Sequence, residues 1–144
     1  MGESAKLPVV FWIIAGVGLL WNIIGLVMFY IQMTATPDML ASTYTEEQVA
    51  YLQNVPFWVD AAFGLAVLAG VLGCIALLMR KSIATTLFMV SLAAIIIQNI
   101  YNFVIGDSLD VFGPSAAALP FMVIAIAIVL LTYSRHAKRG GLLD

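Results

Sequence analysis

The sequence predicts an all-α membrane protein whose four transmembrane helices form an up-and-down antiparallel bundle. Of its 144 residues, 63% are hydrophobic and 10% are charged, and the mean hydropathy is +1.07. Four apolar stretches, at about 8–33, 57–79, 83–105 and 114–133, each approach the ~20 residues that a helix needs to cross a bilayer core. Because short connections join the last three stretches, we expect a single integral membrane domain over residues 1–144.

The distribution of charge predicts the topology. The long loop 34–56 and the shorter loop 106–113 contain acidic residues and no Lys or Arg. An even number of crossings returns the chain to its starting side, so the positive-inside rule places both termini and the tail 134–144 in the cytoplasm. The Lys and Arg residues are Lys6, Arg80, Lys81, Arg135, Lys138 and Arg139.

The first two spans carry small residues at helical spacing. Residues three or four apart share a helix face, and small residues on such faces let transmembrane helices approach closely. We therefore expect the first two spans to pack together. The first span is longer than the apolar core of a signal peptide, which predicts an uncleaved anchor. The packing positions are Gly18, Gly25, Ala62, Ala66, Ala69, Gly70 and Gly73.

The first long loop has the pattern of a short helical cap. Thr45 and Gln48 form a capping box, which predicts a helix over about 46–55 that ends before Pro56. Pro37 favours a further helical turn upstream. The second loop, 106–113, is predicted as a short turn because it is rich in Gly and Asp.

The composition argues against several functional classes. Among Asp, Glu, Lys, Arg and His, the predicted spans contain only Asp60. The single histidine, His136, lies in the tail. This leaves no histidine set for haem or zinc and no base for a nucleophile, so we expect no cofactor, no metal and no enzymatic activity. The cations suit anionic lipid headgroups better than nucleic acid. The expected lipid contacts are Arg80, Lys81, Arg135, Lys138 and Arg139.

The polar groups left within the spans are mostly amides. One interpretation is that they form hydrogen bonds between the first and third spans and fix their register. The other is a polar pocket for an uncharged, hydroxyl-bearing or lipid-like ligand, walled by aromatic side chains. The candidate residues are Trp21, Asn22, Tyr30, Gln98, Asn99, Tyr101 and Asn102.

Four segments of the chain carry a family resemblance. Residues 7–14, 20–22, 37–40 and 73–81, with the sequences LPVVFWII, LWN, PDML and GCIALLMRK, resemble a family of small four-span bacterial inner-membrane proteins. Members of that family often carry the label "sugar transporter". The resemblance covers most of the chain and implies a location in the bacterial cytoplasmic membrane.

Two functional hypotheses follow. In the first, the protein is a non-catalytic accessory module that docks on another membrane protein or on a second copy of itself. In the second, an oligomer binds or carries a small neutral, sugar-like or lipid-like solute through the amide residues.

Overall fold

The structure is a computed structural model that describes residues 8–106 and 108–144, without the side chain of Ala116. Lys6 and Asp107 lie outside the described residues. The described residues form helices joined by short connections, with no strand among them, as predicted. Its helices are α1 (Val9–Thr34), α2 (Pro37–Ala41), α3 (Glu46–Gln53), α4 (Phe57–Leu78), α5 (Ile83–Ile100), α6 (Ser108–Phe112) and α7 (Ala118–Arg139). A π-helical turn, Tyr101–Ile105, extends α5, and a 3₁₀ turn, Pro114–Ala117, precedes α7.

Four helices, α1, α4, the extended α5 and α7, are long and apolar enough to cross a membrane. By length and composition the chain is therefore a multi-pass membrane protein. Helix α4 packs against α1 on one side and α5 on the other, while α7 packs mainly against α5 and touches α1 weakly. The expected close packing of the first two spans is confirmed. In its most apolar stretch α4 is 56% buried, whereas α1 and α7 are each 17% buried, so α4 is the centre of the bundle.

The connection between α4 and α5 is a tight reversal. The N–H of Lys81 donates to the carbonyl of Ala76 at 2.8 Å, and the N–H of Arg80 donates to that of Leu77 at 2.9 Å. This is a Schellman motif in which Arg80, with φ +60°, occupies the left-handed position that glycine usually takes. Such a conformation costs roughly 1–2 kcal/mol in a residue with a Cβ. The Arg80 guanidinium offsets part of that cost by donating from Nε to the carbonyl of Leu142 at 3.0 Å.

The segment predicted as a basic tail, 134–144, packs onto the bundle. Helix α7 continues to Arg139, and Ser134 and Ala137 on this extension are fully buried. The remaining residues fold back onto the α4–α5 reversal. There the N–H of Asp144 donates to the carbonyl of Arg80 at 2.7 Å, and the N–H of Ser82 donates to the carbonyl of Asp144 at 3.0 Å. The prediction missed this because Leu142 and Leu143 follow two glycines and have no helical periodicity.

The two long connections lie at the opposite end of the bundle from that reversal. Helix α3 begins at the predicted capping box, with the Gln48 N–H donating to Thr45 Oγ1 and the Thr45 N–H donating to Gln48 Oε1, both at 3.2 Å. The second connection differs from the predicted turn, because Ser108–Phe112 form the short helix α6. Helix α6 packs against α3, so the two connections contact one another.

Candidate functional site

The structure divides the predicted amide set into two groups at different depths. Asn22 lies in the interface between α1 and α4, where a Cβ on Gly70 would overlap its side chain. Asn102 lies at the end of the bundle where Trp58 contacts Tyr101. Along α4, Gly70 and Trp58 are separated by twelve residues, or roughly 18 Å at 1.5 Å per residue. The expected cluster between the first and third spans is therefore not assembled.

Asn22 is held by its own helix and by α4. Its Nδ2 donates to the carbonyl of Gly18 at 2.8 Å and to Cys74 Sγ at 3.7 Å. Its Oδ1 lies against the Cα of Gly70. If any other residue replaced Gly70, its Cβ would occupy the space that Oδ1 fills. Asn22 thus seats one polar group in an apolar interface and fixes the register of α1 on α4.

Glycines give the α1–α4 interface its short separation. A Cβ on Gly18 would meet Cys74 Sγ of α4 at 3.2 Å, and also Leu130 Cδ2 of α7 at 2.7 Å, while one on Gly25 would meet Val67 Cγ1 of α4 at 3.1 Å. On the other face of α4, a Cβ on Gly73 would meet Phe88 of α5 at 2.7 Å. The predicted packing residues on α4, Ala62, Ala66 and Ala69 among them, are all buried. The small residues of α4 line two interfaces, one with α1 and one with α5, whereas the sequence predicted only the interface with α1.

The second group lies at what we call the aromatic end, defined by Tyr44, Tyr51, Trp58, Tyr101 and Phe112. The Tyr51 hydroxyl donates to Asn102 Oδ1 at 2.7 Å, which ties α3 to the π-helical turn. The Tyr51 ring meets Phe112 edge-on at a centroid distance of 5.4 Å. The Tyr101 ring meets Trp58 edge-on at 5.8 Å. Both geometries are favourable for aromatic pairs.

The π-helical turn carries two of these side chains, those of Tyr101 and Asn102. The N–H of Gly106 donates to the carbonyl of Tyr101 at 2.6 Å, which closes the wider turn. Gly106 itself lies under the Tyr51 hydroxyl, 2.7 Å from where its Cβ would be. Single π turns within α-helices occur frequently at functional sites, because they shift the side chains that follow.

The remaining candidate residues are spread over the bundle. Asn99 Nδ2 donates to the carbonyl of Ile95, one turn earlier in α5, at 2.9 Å. Gln98 and Trp21 are half-buried, and Tyr30 is 68% exposed on the outside of α1. Tyr101 is buried between α3 and α4. The walls predicted for one pocket therefore face different surroundings.

Tyr51 is not among the residues that the sequence predicts for the site. Its one available signal was spacing, because Tyr44 and Tyr51 are seven residues apart and both rings contact Phe112. Two hydroxyl contacts were also missed. Ser91 Oγ donates to the carbonyl of Ala66 at 2.7 Å, and Thr85 Oγ1 donates to Ser134 Oγ at 3.2 Å.

The five expected lipid contacts lie together at the other end, which we call the basic end. Arg80 and Lys81 are engaged with the folded-back segment, through Leu142 and through the ion pair of Lys81 Nζ with Asp144 Oδ2 at 3.8 Å. Arg135, Lys138 and Arg139 are exposed on α7 and line shallow grooves. Within residues 8–106 and 108–144, no three His, Cys, Asp or Glu side chains are close enough to hold a metal ion.

No protein-family model, curated protein or solved structure matches this chain. The family resemblance therefore stays a prediction.

The Asn22–Gly70 contact gives a prediction about stability. We expect Gly70→Ala to destabilise the bundle by about 1–3 kcal/mol, the usual effect of overpacking, because the added methyl displaces the Asn22 amide. The matched control is Gly16→Ala, whose methyl would meet nothing within 4 Å. Unfolding in mixed micelles under increasing denaturing detergent measures both. Adding Asn22→Ala should remove most of the Gly70→Ala defect, and an undiminished defect would contradict this assignment.

Proposed function

We propose that this protein is a non-catalytic membrane protein that acts as an accessory module, through contacts with another membrane protein or with a second copy of itself. One observation carries the proposal: three of the four candidate amides are engaged by the fold. Asn22 bonds to Gly18 and Cys74, Asn99 to Ile95, and Asn102 to Tyr51. A solute would have to compete with these bonds, and those that join two helices are worth roughly 0.6–2 kcal/mol each within a membrane bundle.

The surface of α1 supports an interaction role. Because α1 packs mainly against α4 and touches α7 only weakly, much of its outward face is open. Gly16 lies on that face in the first third of α1, exposed and with nothing within 4 Å of where its Cβ would be. Its neighbours Val17 and Leu20 are 62% and 60% exposed. A small residue surrounded by large apolar ones provides a depression into which a second helix can fit.

We also propose a bacterial cytoplasmic membrane location, with the basic end in the cytoplasm and the aromatic end outside. The positive-inside rule and the family resemblance support this orientation. Gly140→Cys lies at an exposed position of the basic end, and Thr43→Cys at an exposed position of the other. In intact cells, a membrane-impermeant maleimide should label Thr43→Cys alone. Labelling of Gly140→Cys alone would reverse the orientation.

A second candidate function is favoured by the aromatic end. Tyr51, Trp58, Tyr101 and Asn102 place aromatic faces and an amide beside a π-helical turn. Aromatic rings with a nearby polar group suit a neutral, hydroxyl-bearing solute. In this alternative an oligomer binds or carries such a solute, as the label given to the resembling family implies.

Native mass spectrometry of the protein, extracted with its own lipids, tests the accessory role. We expect a stoichiometric second protein mass or a second copy. Gly16→Leu should reduce the complexed fraction about tenfold, because overpacking an interface costs roughly 1–3 kcal/mol. The control is Ala125→Leu, which places the same leucine side chain at an exposed position of α7.

The outcomes separate the two candidates. Complexes that both variants leave unchanged, or a monomeric wild type, would contradict the accessory role at this surface. A reproducible small neutral mass on the wild type, lost with Asn102→Leu, would favour the solute-binding function. The melting temperature of Gly16→Leu should match that of the wild type, since the new side chain enters open space.

A further inference from the structure

The cations of α7 form a ridge without acidic partners. Arg135 and Arg139 are one helical turn apart, and Lys138 is three residues after Arg135, so the three share a helix face. Like charges at these spacings repel one another. In the part of the chain that the structure describes, the one ion pair joins Lys81 to Asp144 and leaves the ridge uncompensated. An anion bound there would relieve the repulsion.

Two grooves flank this ridge and share its arginines. The first has a volume of about 380 Å³ and is lined by Thr85, Arg135, Lys138 and Arg139. The second has a volume of about 260 Å³ and is lined by Thr132, Arg135, His136 and Arg139. At about 100° per residue, Lys138 and His136 lie roughly 160° apart around α7, with both arginines between them.

The donors available in the grooves are the basic side chains. Thr85 Oγ1 donates to Ser134 at 3.2 Å, and Thr132 Oγ1 donates to the carbonyl of Ile128 at 2.8 Å. The threonine protons are therefore directed into the fold. Arginine forks bind phosphate oxygens in pairs, and a ridge with two of them can serve a phosphate on each side.

The position of the grooves indicates a lipid as the source of the phosphate. Thr85 belongs to the first turn of the membrane-length α5, and the ridge follows directly on the apolar part of α7. Ile128 and Val129 lie on the same side of α7 as the ridge and its grooves, about two turns earlier in the helix, and are 45% and 53% exposed. A headgroup in the grooves would thus have its acyl chains against an apolar helix face, and basic pockets at this depth are suited to anionic headgroups.

We propose that the ridge of α7 binds one anionic phospholipid with two phosphodiester groups, one phosphate in each groove and the arginines between them. This site lies at the basic end and does not depend on the partner proposed for α1. Lys81, which is paired with Asp144, lies outside both grooves.

The test uses the full-length protein in zwitterionic nanodiscs, titrated with a diphosphatidylglycerol and analysed by native mass spectrometry. We expect one such lipid per chain, retained at least tenfold more tightly than a one-phosphate phosphatidylglycerol at equal total charge. Arg135→Gln combined with Arg139→Gln should weaken binding roughly thirtyfold, at about fivefold for each cation at a membrane surface. Lys81→Gln, which removes one charge of the same end, should weaken it less than twofold.

Three results would overturn the proposal. Equal retention of the one-phosphate lipid would show a general attraction to negative charge. Equal weakening by Lys81→Gln and Arg139→Gln would place binding outside the grooves. Displacement of the lipid by millimolar inorganic pyrophosphate would identify a soluble phosphate compound as the ligand. Unchanged melting of the double variant in zwitterionic nanodiscs, expected for exposed side chains, excludes misfolding as the cause of weaker binding.

Discussion

The rest of the structure depends on the close approach of α1 to α4. Lipid tails are as apolar as leucine side chains, so the hydrophobic effect does not drive helices together within a membrane. Close packing contacts between the helices must supply the free energy of association. Gly18, Gly25 and Gly70 supply those contacts by letting side chains of the facing helix reach the backbone. Asn22 then fixes the register, because its amide fits where Gly70 has no side chain. With its other face against α5, α4 becomes the most buried helix of the bundle.

This arrangement determines what the remaining surfaces can do. Since α4 takes most of the contacts, α1 and α7 keep broad apolar faces, and of these two helices only α1 has an exposed glycine, Gly16. The two ends of the bundle differ in chemistry. At one end, aromatic side chains and the Tyr51–Asn102 hydrogen bond fasten the connections to the π-helical turn. At the other, the folded-back segment occupies Arg80 and Lys81 and leaves the α7 ridge as the available positive surface.

Much of the fold could be predicted from the sequence, because it depends on local patterns. Apolar length predicted the four long helices, and the Thr45 capping box predicted the start of α3. The partners of the amides could not be predicted in this way. Asn22 and Gln98 are equally polar in the sequence, and only the rotation of α1 about its axis directs Asn22 toward Gly70 and Cys74. The docking of residues 140–144 and the contact of Tyr51 with Asn102 likewise join distant segments, with no periodic signal to indicate them.

Disulfide cross-linking in native membranes tests the central claim, that α1 packs on α4 in this register, most directly. In a Cys74→Ala background, Gly25→Cys and Val67→Cys would place two Cβ atoms 3.9 Å apart, within the usual disulfide range of about 3.5–4.5 Å. The comparison pair is Asn22→Cys with Gln98→Cys, which would be close if the first and third spans joined their amides. Our account predicts rapid oxidation of the first pair and little of the second. Cross-linking of the second pair in preference to the first would contradict it.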